Sequence, residues 1–318
     1  MNYLEEIDYS SISSYLECPR SFYFRYIKHL QPLRPNINLI FGSCWHFGLE
    51  GTFKRLMAGE SLSVETATEI SIAYFRALWD EEAAPYFDAE LTYPKSPGRA
   101  HDMYYKYWER FLSTYLDPNY KIIGVEVPFA ISIFNINYIG RMDLACVEPG
   151  DFIVITDHKT AKSVNKATQD SFDNSLQTEG YLTAAKIYWD KLPRINYSVA
   201  LCQKTKIDFP LFQYTKSDRA VDRFLFEMSC NIKDLHKDLA LMEIEATNTD
   251  SNFIPTSFRR NPGYACTSFF STCPYFDICK SRNNPYTFKD CPSGYLQQEW
   301  KPADLGTRTD QIESTIIL

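Results

Sequence analysis

Residues 153–162 read IVITDHKTAK. Three apolar residues and a threonine, all at home in a β-strand, run straight into Asp157, His158 and Lys159. In a strand, residues two apart face the same side, so Asp157 and Lys159 share a face and His158 takes the other. Upstream, Pro149-Gly150-Asp151 has the chemistry of a hairpin turn, and YIGRMDLACVE (138–148) reads as the preceding strand. A turn at that point pairs residues whose numbers sum to about 299 or 300, which sets Asp143 opposite residues 156–157. Two carboxylates on neighbouring strands can share a hard cation such as Mg²⁺, which takes oxygen ligands. The backbone carbonyl of His158 offers one more oxygen. An ammonium at Lys159 suits three tasks: orienting a water, stabilising negative charge on a phosphate, or acting as a base if its pKa is lowered.

Working outward, YKIIGVEVPFAISIF (120–134) predicts a strand before this hairpin, and residues 194–204 and 208–216 predict two after it. A helix is expected across 174–191 and a long one across 217–246. Ahead of the strands the pattern is helical, over 40–58, 64–82 and 100–116, with a loop at 93–99. In YSSISSYLECPRSFYFRYIKHL (9–30), Ser10 and Ser11 are candidate helix caps. Pro19 marks a break or a new first turn. The sum is an α/β chain with a mixed central sheet flanked by helices, an N-terminal helical region and a cysteine-rich C-terminal segment.

The 318 residues are 45% hydrophobic and 23% charged, with 22 Tyr and 22 Phe, enough to build a substantial core. No apolar run approaches the roughly 20 residues that cross a bilayer, and MNYLEEIDYS lacks the basic start and apolar stretch of a secretory signal. The expectation is a cytoplasmic protein with no membrane partner. A net charge of −7 argues against a protein that coats nucleic acid non-specifically. It leaves room for a local basic groove beside a carboxylate site. No Gly-x-x-x-x-Gly-Lys-[Ser/Thr] loop is present, so a built-in motor of that kind is not expected.

Nine cysteines are many for a reducing compartment. Cys44, Cys146, Cys202 and Cys230 lie in apolar patterns and read as packing residues. Cys266, Cys273, Cys279 and Cys291 crowd one segment, which favours metal or cluster binding over disulfides.

The pair GRMD and DHK resembles the PD-(D/E)xK nuclease superfamily, most nearly its RecB-like branch. That branch includes the iron–sulfur nuclease of CRISPR systems and the nuclease domain of helicase–nuclease repair complexes. Further motifs appear in the branch's order: Gly42-x-x-x-His46 in FGSCWHFGLE and Gln177-x-x-x-Tyr181 in QTEGY. The resemblance implies a restriction-endonuclease-like core and an Mg²⁺ or Mn²⁺ bound by His46, Asp143 and Asp157, with the residue at His158 contributing. It implies catalytic roles for Lys159, Asp143 and Asp157, and Gln177 and Tyr181 lining the site and touching DNA. Glu126 occupies a strand where the branch often carries an acid. Asp157 departs from the Glu more usual in the nearest relatives.

The same resemblance implies a [4Fe–4S] cluster held by Cys18, Cys266, Cys273 and Cys279, with a structural role. Here the spacing is Cys-x6-Cys-x5-Cys, where near relatives carry Cys-x2-Cys-x5-Cys. Cys291 competes with Cys266, and a local structural Zn²⁺ on Cys266, Cys273, Cys279 and Cys291 is the rival reading. On this scheme residues 1–300 form a single nuclease domain and 299–318 a tail. Its parts are N-terminal helices (1–58), a helical insertion (59–119), the core (120–246) and a cysteine-rich segment (247–292).

The function expected is a metal-dependent DNA exonuclease acting on single strands or single-stranded ends, in repair, recombination, CRISPR-type or viral DNA processing. The alternative is a non-catalytic nucleic-acid-binding or assembly subunit that keeps the fold, with zinc in place of the cluster. Candidate DNA contacts are Arg20, Arg25 and Lys28; Lys95, Arg99, Lys106 and Arg110; Lys159, Lys162 and Lys166; and Arg259 and Arg260. Nearby aromatics are suited to stacking on unpaired bases.

Overall fold

The computed structural model describes residues 4–33, 35–267, 272–288 and 290–299. The expected tail lies outside these apart from Glu299. The chain divides into two compact units, one of residues 35–128 and 141–221, the other of 1–34, 129–140 and 222–318.

In the first unit, three helices precede the strands: α3 (Ile37–Met57), α4 (Val64–Glu82) and α5 (Pro97–Tyr115). Asn36, Ser63 and Ser96 cap them, each side chain accepting a backbone N–H of the first turn. The three helices meet where α3 has no side chain. A Cβ on Gly48 would lie 2.1 Å from the Tyr104 hydroxyl of α5 and 2.6 Å from the Ser71 carbonyl of α4. Around that point Trp45 stacks on Tyr104 at 4.3 Å, and Trp108 donates its indole N–H to Ser71 Oγ at 2.9 Å. Phe41, Phe53, Phe75 and Trp108 are fully buried, and they share one core with the strand residues Leu144, Cys146, Ala200 and Cys202.

The strands are β3 (Lys121–Ile133), β4 (Ile136–Glu148), β5 (Phe152–Ala161), β6 (Arg194–Cys202), β7 (Ile207–Asp208) and β8 (Leu211–Tyr214). β5 pairs antiparallel with β4 and parallel with β6, while β7 and β8 pair antiparallel with β6. The sheet is therefore mixed, as expected. The hairpin register resolves to a sum of 300, from Glu148↔Phe152 to Leu144↔Thr156. Gly150 and Asp151 both take positive φ, 89° and 65°, which the tight turn requires.

The helix expected over 174–191 is α7 (Leu176–Trp189), capped by Ser175; a separate short helix that the sequence reading did not include, α6 (Lys166–Asp173), capped by Asn165, precedes it. The strand expected over 208–216 breaks between β7 and β8 at Pro210, which has no N–H for a ladder.

In the second unit, the short strand β1 (Glu6–Asp8) pairs parallel with residues 137–139 of β4. Helix α1 (Tyr9–Glu17) follows it. Its cap is Asp8 rather than Ser10 or Ser11: Asp8 Oδ1 accepts from Ser11 N at 2.7 Å, and Ser11 Oγ accepts from Asp8 N at 2.9 Å, a capping box. Pro19 opens a new short helix, α2 (Pro19–Phe22). β2 (Leu30–Pro32) pairs with β9 (Tyr295–Gln297), and α8 (Asp218–Glu245) begins in the first unit and runs on into this one. No helix among the described residues is long and apolar enough to cross a membrane.

Candidate active site

The β4–β5 ladder ends at Leu144↔Thr156, and the chemistry begins one step beyond. There the backbone N–H of His158 donates to Asp143 Oδ2 at 2.7 Å instead of to a strand carbonyl. Helix α3 brings His46 to the same oxygen, Nδ1 to Oδ2 3.1 Å. Gly42, one turn earlier, faces β5: a Cβ there would stand 3.4 Å from Thr160 Oγ1, an ordinary contact.

Glu126 joins them through a fault in β3. Its φ is +53°, left-handed, in mid-strand. A Cβ built on Gly124 would lie 2.3 Å from Val127 Cγ2, so residues three apart face one side. That is a bulge, a device that re-aims a side chain beside a functional site. His46, Glu126 and Asp143 then offer ligand atoms that all lie within 4.8 Å of one another.

Asp157 is fully buried and lies outside that group of three. Its Oδ2 is 2.8 Å from Lys159 Nζ, a charge contact without a well-directed hydrogen bond. Lys159 Nζ donates to Gln177 Oε1 at 3.0 Å, and Gln177 Nε2 donates to the Tyr181 hydroxyl at 2.8 Å. That hydroxyl lies 2.9 Å from Asp157 Oδ1 and 3.0 Å from the Arg141 carbonyl. Asp157, Lys159, Gln177 and Tyr181 thus close a ring of polar contacts between β5 and α7. Gln177 and Tyr181, one helical turn apart, serve this ring, and Tyr181 is buried. The His158 ring lies on the other face from Asp157 and Lys159: its Nε2 is 3.1 Å from the Tyr107 hydroxyl, while its Nδ1 stays 3.7 Å from Asp143 Oδ2.

The charges are interlocked. Burial works against ionised Asp143, yet His46 and the hydrogen bonds from His158 and His46 hold it well below the ordinary carboxylate range. Burial also works against charged His46, but Asp143 and Asp157 raise it to about 9. Glu126 is pushed up to about 8, first by burial, then by Asp143, against the pull of Arg141. Burial would lower Lys159, but Asp157 and Asp143 reverse this and raise it. Lys159 is therefore an ammonium at neutral pH.

One imidazole and two carboxylates converging, with the buried Asp157–Lys159 pair beside them, form a donor set that fits a hard divalent cation. Two nearby residues escaped the sequence reading. Glu50, one turn after His46 on α3, is buried, pairs with Lys54 at 2.6 Å and adds to the rise of Glu126. Arg141, two residues before Asp143, places Nε 2.5 Å from Glu126 Oε2. The spacings 46/50 and 141/143 were the available signals.

In the second unit, Cys18, Cys266, Cys273 and Cys279 line one cavity of about 200 Å³, with Arg20, Tyr275 and Phe276. Burial, with neighbouring thiols adding to it, raises the pKa of Cys273 and of Cys279. Cys291 lines a separate, smaller cavity and its thiol lies 3.4 Å from the Tyr295 carbonyl. Cys44, Cys146 and Cys202 are buried, whereas Cys230 is exposed, contrary to its reading as a packing residue. Several basic residues flagged for DNA have internal partners: Arg20 donates to the Phe258 carbonyl at 2.7 Å, Arg99 to those of Gln203 and Lys206, and Arg110 pairs with Asp208.

A mixed sheet flanked by helices, with an acid–x–lysine strand end facing a second acid, defines a restriction-endonuclease-like α/β protein. The chain belongs to the PD-(D/E)XK nuclease superfamily, whose family model matches residues 7–280. Solved structures similar to the chain include the "Putative exonuclease" from Eubacterium rectale, at 12% identity over 72% of this chain and 79% of that one, TM-score 0.42. Another is SSO0001, at 12% identity over 73% and 78%, TM-score 0.31. No curated protein matches the chain.

Proposed function

We propose that the protein is an Mg²⁺- or Mn²⁺-dependent DNA exonuclease whose cation is held by His46, Glu126 and Asp143, with Asp157 beside them. The observation that carries the reading is the convergence of those three ligand atoms within 4.8 Å next to the Asp157–Lys159 pair. A bound divalent cation supplies Lewis-acid polarisation of a phosphodiester.

The protein's own residues do the rest. Lys159, kept protonated by Asp157 and Asp143, donates hydrogen bonds and charge to the reacting phosphate or its attacking water. It therefore acts as an ammonium rather than as a base. Gln177 and Tyr181 hold Lys159 and Asp157 in position from α7. His158 fixes Asp143 Oδ2 through its backbone N–H.

We further assign a structural [4Fe–4S] cluster to Cys18, Cys266, Cys273 and Cys279, supported by their sharing one cavity. Among the described residues these sulfurs form no group within 4.8 Å. Both assignments extend the family membership toward the RecB-like branch.

The test is digestion of end-labelled single- and double-stranded DNA with Mg²⁺ or Mn²⁺, by wild type and Asp157→Ala. Release of end label by wild type and none by the folded variant is expected. Undiminished metal-dependent cleavage by Asp157→Ala removes the assignment.

A further inference from the structure

We propose that Arg141 binds a backbone phosphate of the nucleic-acid substrate, immediately beside the cation site; this rests on the functional reading above. The two residues that position it are Tyr181 and Glu126. The Tyr181 hydroxyl lies 3.0 Å from the Arg141 carbonyl and Glu126 Oε2 2.5 Å from its Nε. A guanidinium carries five N–H donors in a rigid fork. Anchoring through Nε leaves the Nη1 and Nη2 groups, and no other partner for them is seen among the described residues. The side chain is 30% exposed while its partner Glu126 is 8% exposed. The carboxylate is thus sealed beneath and the fork is open above, the arrangement that suits a bidentate phosphate contact.

The place is also right. Arg141 and Asp143 share a strand face, and both lie beyond the last β4–β5 pair, where the sheet opens. The other cations at the site are engaged: Lys159 with Asp157 and Gln177, His46 with Asp143. Lys54, which pairs with Glu50, stands on α3. Arg141 is thus a second cation, beside Lys159, with side-chain exposure that lets it meet an incoming polyanion.

The competing role is that of a mere counter-ion for Glu126. The two separate experimentally, because a phosphate contact shows in the salt dependence of nucleic-acid binding without any metal. In EDTA, binding of a fluorescent single-stranded oligonucleotide is followed by anisotropy over a KCl series for wild type, Arg141→Gln, Arg141→Lys and Glu126→Gln. Mn²⁺ affinity is measured by calorimetry for the same proteins, and circular dichroism checks their folding. The slope of log K against log[KCl] falls by about 0.7 for each single-strand phosphate that the protein ceases to neutralise. Arg141→Gln should show that change with affinity roughly tenfold weaker at low salt. Arg141→Lys, which keeps the charge, should restore the slope. Glu126→Gln should keep the slope and lose Mn²⁺ affinity. An unchanged slope in Arg141→Gln, with only Mn²⁺ binding altered, overturns the proposal and leaves the nuclease reading standing. Wild-type protein that neither binds nor cuts nucleic acid overturns both.

Discussion

Tyr181 and Asp157 are joined by a 2.9 Å contact between the phenolic hydroxyl and Oδ1, and this contact ties helix α7 to the buried acid of β5. Asp157 has no exposure to water, so what its two oxygens meet is decided by Tyr181 and Lys159.

Tyr181→Phe removes a hydroxyl and little else. Oδ1 of Asp157 then lacks a donor in a site closed to water, at a cost of about 1–3 kcal/mol. Urea denaturation should register that loss. Cleavage should fall through both kcat and KM, because the same hydroxyl also holds the carbonyl of Arg141.

Two glycines of α3 should behave oppositely. Gly42→Ala places its methyl 3.4 Å from Thr160 Oγ1, an ordinary contact, and alanine is the better helix former. It should be neutral or slightly stabilising. Gly48→Ala drives a methyl to 2.1 Å from the Tyr104 hydroxyl and 2.6 Å from a backbone carbonyl. Overpacking of that kind costs about 1–3 kcal/mol, and thermal melts of the two variants check the contrast.

The metal-free protein should lose stability as the pH rises. Glu126 ionises near 8 in the fold against an ordinary 4.5, so between those values the folded state holds the extra proton. His46, raised to about 9 from 6.5, contributes stability that is complete below 6.5 and lost as pH climbs through about 9. Both slopes have the same sign. Melting temperature should therefore fall from about pH 6 to pH 9 in EDTA. Mn²⁺ affinity should rise across the same window, since ligation expels those protons.

The cysteines give a separate prediction. Anaerobically prepared protein should absorb near ~400 nm and contain about four irons per chain. Cys18→Ser, Cys273→Ser or Cys279→Ser should abolish this, and Cys291→Ser should not. Stoichiometric zinc without iron would replace the cluster by the rival site.

Much of the site was legible because it is local. Asp143, Asp157 and Lys159 follow from one hairpin and strand alternation, and the register sum of 300 confirms the pairing rule. Gln177 and Tyr181 came from the family resemblance, with helical spacing adding only that they share a face; what they hold was visible only once β5 and α7 were side by side. Glu126 was marginal in the sequence because its engagement depends on a bulge with positive φ, which an Ile-Ile-Gly-Val-Glu-Val run does not announce. Arg141 and Glu50 were invisible because their partners are non-local or their burial is. Helix α6 was not expected for a simpler reason: none of its residues is buried, so it carries no apolar stripe to read.

The central claim is that His46, Glu126 and Asp143 hold one divalent ion. Its most direct test is an Mn²⁺ titration followed by electron paramagnetic resonance, on wild type and Asp143→Asn. The account predicts tight binding by wild type that disappears in the variant while its circular dichroism is unchanged. Equal Mn²⁺ binding by the two proteins would contradict it.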